Sequence, residues 1–109
     1  MAYDEKLADR IRAIIGDEPG LREQKMFGGV GFMVHGNMAA GIIGSDLMVR
    51  VGPDAYDDAL AQPHARFMDI TGRPMRGFVI VAAEGIATRP KLRSWLARGL
   101  GFASTLPPK

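Results

Sequence analysis

The stretch from Lys25 to Val51, KMFGGVGFMVHGNMAAGIIGSDLMVRV, narrows what this chain can fold into more than any other. It is dense in glycine and apolar residues, carries only Lys25 and Arg50 as cations, and is punctuated by His35-Gly36-Asn37 and Gly44-Ser45-Asp46. That is the pattern of consecutive short antiparallel strands joined by tight turns. The expected strands run from Arg22 to Phe27, Val30 to Val34, Met38 to Ile43 and Leu47 to Val51. Gly28-Gly29 releases the chain for a bend or bulge after the first. Alternation puts Phe32 and Val34 on one face with Met33 on the other. Leu47, Val49 and Val51 likewise share a face, opposite Met48 and Arg50. A meander results, in which neighbours in sequence are neighbours in space.

A sheet with one apolar face needs a cover, and the flanks supply it. In residues 4–15, Leu7, Ile11, Ile14 and Ile15 fall at helical spacing, and Gly16 is placed to stop the helix in a left-handed conformation. Beyond the meander, Gly52-Pro53-Asp54 opens a short helix to about Ala61, with Tyr56 and Leu60 on its buried side. Strands follow at Arg66–Asp69 and Gly77–Val81, separated by a turn at Thr71-Gly72-Arg73-Pro74. Glu84-Gly85 breaks the second. The last helix opens at Thr88 as N-cap and runs to about Phe102 with the stripe Leu92, Trp95, Leu96 and Leu100, and residues 103–109 form an extended tail. The order α-β-β-β-β-α-β-β-α predicts a single α+β domain over residues 1–109, an antiparallel sheet flanked by helices.

A 109-residue chain of ordinary composition can bury a core without disulfides or metal. The absence of cysteine excludes disulfides, thiolate metal sites and cysteine nucleophiles. The polar, acidic start implies no secretory leader, and no apolar run nears the roughly 20 residues of a membrane helix, so a cytoplasmic protein with no membrane contact is expected. Net charge is only +2, but it is unevenly placed. Residues 66–109 set Arg66, Arg73, Arg76, Arg89, Lys91, Arg93, Arg98 and Lys109 against Asp69 and Glu84, a balance of +6, whereas residues 1–24 stand at −2. The asymmetry suits an acidic partner, or is a solvated rim of arginines.

Motif chemistry is sparse. Phe27-Gly28-Gly29-Val30-Gly31 hints at a phosphate loop, but Val34 stands where the dinucleotide fingerprint needs glycine, and strands follow. Arg76-Gly77-Phe78-Val79 begins like an RNA-recognition strand and then lacks its stacking aromatics. His35 and His64 have no metal-ligand spacing, and Ser45, Ser94 and Ser104 lack a nucleophile elbow. Asp57 and Asp58 diverge by about 100° on their helix and form no facing pair. No enzymatic activity, cofactor or metal is therefore expected. Arg50, mid-strand among apolar neighbours, is either a polar-out position or a covered cation needing a carboxylate or carbonyl partner. Met33 and Met48, opposite the presumed core, favour an interaction surface or homodimer interface.

Met26-Phe27-Gly28-Gly29, Leu47-Met48-Val49-Arg50-Val51-Gly52, the run from Thr71 to Val79 and the closing Leu106-Pro107-Pro108-Lys109 together resemble the TfoX/Sxy N-terminal domain family. The resemblance implies an α+β unit with an antiparallel sheet. Its best-known members are bacterial competence regulators that act with the cyclic-AMP receptor protein and carry a second, helical domain similar to DNA-binding modules. This chain has only the first part of that plan, so direct DNA binding is not expected. The implied role is a non-enzymatic regulatory domain working through a protein partner, transcription machinery among the options, and as a homodimer. The expected contact surface is Phe27, Gly28, Gly29, Met33, Met48, Arg50, Arg73 and Arg76. Two alternatives stand beside it: weak non-specific nucleic-acid binding through the basic C-terminal half, and a small-molecule-binding domain.

Overall fold

The structure is a computed structural model and describes residues 3–26, 28–69 and 74–108. Its elements are α1 (Glu5–Ile15), β1 (Leu21–Met26), β2 (Gly29–Val34), β3 (Asn37–Ile43), β4 (Asp46–Arg50), α2 (Tyr56–Leu60), β5 (Ala65–Asp69), β6 (Pro74–Val81), a 3-10 turn (Ala83–Ile86) and α3 (Arg89–Ala103). Apart from that turn, this is the predicted order.

Local chemistry explains the ends. The Asp4 carboxylate caps α1 by accepting from the backbone N–H groups of Lys6 and Leu7. Thr88 does the same for α3, its hydroxyl accepting from the Lys91 N–H. Gly16 does not take the left-handed form expected of it. It stays right-handed at φ −57, its N–H still bonded to the Arg12 carbonyl, and the positive φ falls at Gly20, where the chain turns into β1. His35 and Gly36, at φ 50 and 84, make the two-residue hairpin turn between β2 and β3. Thr71, Gly72 and Arg73 of the predicted second hairpin lie outside the described residues.

The six strands pair antiparallel in the order β1-β2-β3-β4-β6-β5. The meander holds through β4 and then breaks, because β6 rather than β5 lies against β4, and α2 carries the chain across to the far edge. Composition gives the reason. Val79, Ile80 and Val81 are buried whichever face they point to, which suits an inner strand, whereas Arg66, Phe67 and Asp69 of β5 are exposed and suit an edge. β6 also begins three residues earlier than predicted, at Pro74, and the Gly77 carbonyl within it accepts from the N–H groups of both Val51 and Gly52.

All the helices cover one face. Leu7 and Ile11 of α1, Tyr56 of α2, Ile86 of the 3-10 turn and Leu92 and Leu96 of α3 pack on Phe32, Ile42, Leu47, Val49, Val79 and Val81. The approach is close: a Cβ built on Gly99 of α3 would lie 2.2 Å from the Ala39 carbonyl oxygen. Arg12 clamps α1 to β1 through two 2.7 Å bonds to the Glu23 carboxylate. That hydrogen bonding holds the Glu23 carboxyl below its ordinary pKa, and raises that of Arg12. The buried Asn37 amide donates to the Pro107 carbonyl at 2.8 Å, tying the C-terminal segment to the start of β3.

Candidate functional site

Among the described residues no helix packs across the opposite face of the sheet, and only Phe102, at the end of α3, reaches Arg50 at one end of it. Residues paired across antiparallel strands share a face, so the register assigns its side chains. Arg22 of β1, Met33 of β2 and Met38 of β3 lie in line, brought together by a register shift between Phe32 and Met33. Arg50 and Phe78 pair at the same end on β4 and β6. The next line holds Gln24, Gly31, Gly41, Met48, Ile80 and Arg66 in successive pairs. Met26, Ile43 and Asp46 stand beyond it.

The centre of this face is floored by glycine. A Cβ on Gly31 would meet the Cε atoms of Met26 at 3.1 Å and Met38 at 3.2 Å, and one on Gly41 would meet the Met48 Cε at 2.7 Å. The methionines therefore fold flat into space that the glycines leave, an unbranched side chain filling an irregular gap. Met48, Met68 and Ile80 form a buried cluster, with Met38, Ile43 and Phe78 half-buried over it. Beside the cluster is a cleft of about 460 Å³ against Ile43, Met68 and Ile80, bounded by the edge strand β5, where Phe67 pairs with Val79 and so belongs to the helix side. The Arg66–Asp46 ion pair, 2.8 Å, closes one side.

The predicted contact residues scatter over this frame. Met33 is half-buried on the helix-free face, as alternation implied. Met48 is on that face but under its surface, 2% exposed, so it supports the layer above and cannot itself be touched. Gly28, at φ +74, is exposed in the β1–β2 turn, whereas Gly29 is buried with the Ile42 carbonyl oxygen where a Cβ would sit. Arg50 takes neither option weighed for it. Its guanidinium lies 5.5 Å from the Phe78 ring centroid and 5.3 Å from that of Phe102, a cation between two aromatic rings. Arg76 turns the other way and stacks on Tyr56 of α2 at 5.3 Å, so the two arginines serve different surfaces. Phe27 and Arg73 lie outside the described residues.

Sequence reasoning missed Phe78 and Phe102, and the glycine floor. Gly31 and Gly41 were recoverable, since alternation from Phe32 and Ile42 puts both on the methionine face. Phe102 was not, because nothing local ties the end of α3 to β4. Among the described residues no ion pair engages Arg22 or Arg50, no three His, Asp or Glu side chains gather as for a metal, and no helix is long and apolar enough to cross a membrane.

A family model described as the TfoX N-terminal domain matches residues 14–103, from the last two residues of α1 to the end of α3. No curated protein matches the chain.

Proposed function

Because this chain belongs to the TfoX N-terminal domain family, we propose that it is a non-enzymatic regulatory domain that binds a protein partner on the helix-free face of its sheet. One observation carries the reading: that face presents a half-buried apolar skin over an adaptable methionine layer, with an open cleft and two cations, Arg22 and Arg50, that no carboxylate pairs among the described residues. Methionine-rich surfaces repack around different apolar anchors. Arg22 and Arg50 at one end select for acid beside the anchor, since a basic partner would meet like charge. The partner is thus an acidic protein segment with a bulky apolar side chain for the cleft against Ile43 and Ile80. Transcription machinery is the source proposed for it, in keeping with the regulatory role that the family resemblance implies. The charged edge strand β1, Arg22-Glu23-Gln24-Lys25, discourages edge-to-edge pairing. A homodimer would accordingly form face to face.

The test is affinity capture with nuclease at physiological salt, comparing wild type with Arg50→Glu, Ile43→Ala and the helix-side variant Arg76→Glu. Loss of the same protein from the first two variants, with Arg76→Glu behaving as wild type, supports the assignment. Equal loss from all three, or from none, removes it. Light scattering of the purified chain separates the homodimer, which Arg50→Glu should split.

Weak, salt-sensitive nucleic-acid binding is the second reading. Its support is α3, which carries Arg89, Lys91, Arg93 and Arg98 and no acid.

A further inference from the structure

A second concave site lies on the helix side, away from the methionine face. The connection from α2 to β5, the 3-10 turn and α3 enclose a cleft of about 390 Å³. Its walls include Pro63 and His64 from the connection and Lys91, Ser94, Trp95 and Arg98 from α3. No carboxylate lines it. A volume of this order holds a small organic ligand.

The connection is built with strain at this place. His64 sits at φ +66, outside the ordinary range for a side-chain-bearing residue. Its carbonyl accepts from the Ala82 N–H at 3.0 Å. Gly85 leaves room beside it, for a Cβ there would lie 3.0 Å from the His64 Cβ and 2.7 Å from the Val81 Cγ1. Sparsely populated backbone of this kind persists where its surroundings enforce it, and it concentrates at binding sites.

The charged groups are only partly satisfied. No ion pair engages the Lys91 ammonium among the described residues. Arg98 stacks on Trp95, 5.1 Å to the ring centroid, and its Nη1 donates to Asp58 Oδ2 at 3.1 Å. That carboxylate is 69% exposed, a competitor held loosely at the edge. A guanidinium has five N–H donors, so most of the fork stays open. Ammonium, guanidinium and the Ser94 hydroxyl can all donate to one group with several strong acceptor oxygens. Pro63, Pro90 and the buried Trp95 offer apolar walls for an organic body. A hydrolytic use of Ser94 and His64 lacks its geometry: neither side chain hydrogen-bonds the other, and Asp58 is turned to Arg98.

We propose that this cleft binds a small phosphate monoester, its phosphate held by Lys91 and Arg98 in place of Asp58 and its organic body lying against Trp95 and the prolines. Trp95 is the only tryptophan, which makes its indole N–H resonance a single reporter. Adenosine 5′-monophosphate and phenyl phosphate are titrated against the labelled full chain, with adenosine as the uncharged control. Both phosphates should shift the Trp95 signal saturably with a dissociation constant of about 1 mM or tighter, and adenosine should not. Lys91→Ala should weaken binding about tenfold, the worth of one hydrogen bond to a charged group, while Lys91→Arg keeps it. Asp58→Asn should tighten it severalfold by releasing Arg98. The proposal is overturned if neither phosphate saturates, if adenosine shifts the signal equally, if Lys91→Ala binds as wild type, or if Asp58→Asn weakens binding.

Discussion

The two faces of this sheet are built from different materials for different ends. On one, branched and aromatic side chains with few rotamers, Phe32, Ile42, Leu47 and Val49, lock against Leu7, Ile11, Leu92 and Leu96 of the helices. On the other, Met26, Met38 and Met48 lie over Gly31 and Gly41, Met68 packs beside Met48, and among the described residues no helix packs on this layer. Stiff side chains specify one packing, while methionine tolerates many. The lesson is that burial alone does not define a core. Met48 is as buried as Leu7, yet it belongs to a layer able to reshape under a partner.

Truncation gives the widest separation between the faces. Phe32→Ala should cost about 3–5 kcal/mol, because a rigid surround relaxes little around the cavity, and Met68→Ala about 2 kcal/mol, because flexible neighbours collapse into the space. Urea melts of the two variants measure both. Equal losses would break the distinction and make the methionine layer a second ordinary core.

A pair of glycines sharpens the comparison. Gly99→Ala drives a methyl into the backbone carbonyl of Ala39, and α3 must lift, for a loss of about 3 kcal/mol. Gly31→Ala meets only the movable ends of Met26 and Met38 and should change stability by less than about 1 kcal/mol. Thermal unfolding of the two variants decides. A large loss at Gly31 would show the methionines fixed rather than adaptable.

The smallest effect is electrostatic and is confined to the helix side. Glu23 has a folded-state pKa below its unfolded value, so its bond to Arg12 stabilises fully above the ordinary carboxylate pKa. That contribution is lost as pH falls through the lower folded value. Glu23→Gln should therefore cost about 0.5 kcal/mol at pH 7 in this largely solvated setting, and the difference from wild type should vanish at strongly acidic pH. A difference that persists there would mean that packing, not charge, joins α1 to β1.

Much of the frame was legible in the residues, and the failures are instructive. Thr88 was readable as a helix start because a cap is a bond to an N–H two or three residues on, whereas Asp4, at the first position of the expected helix, proves to be its cap. Gly16 was misread because several glycines near a helix end compete for the turn, and the register of β1 handed it to Gly20. Alternation put Arg50 and Met48 on the right face, but it could not say that one would be sandwiched and the other covered. The cleft along α3 was invisible, because His64 and Arg98 meet only through the packing of α2 and the 3-10 turn.

By itself the sequence determined the element order, the turns at His35-Gly36 and Gly44-Ser45, the Thr88 cap and the family; the turns and the cap depend on residues near one another in the chain. Tertiary structure alone decided that β6 would displace β5 from β4, that Phe102 would close on Arg50, and that one sheet face would keep a methionine surface in place of a helix. The physical reason is range. Dihedral preferences and capping bonds act over a few residues, whereas strand order and side-chain enclosure are settled only when distant segments compete to bury the same apolar surface.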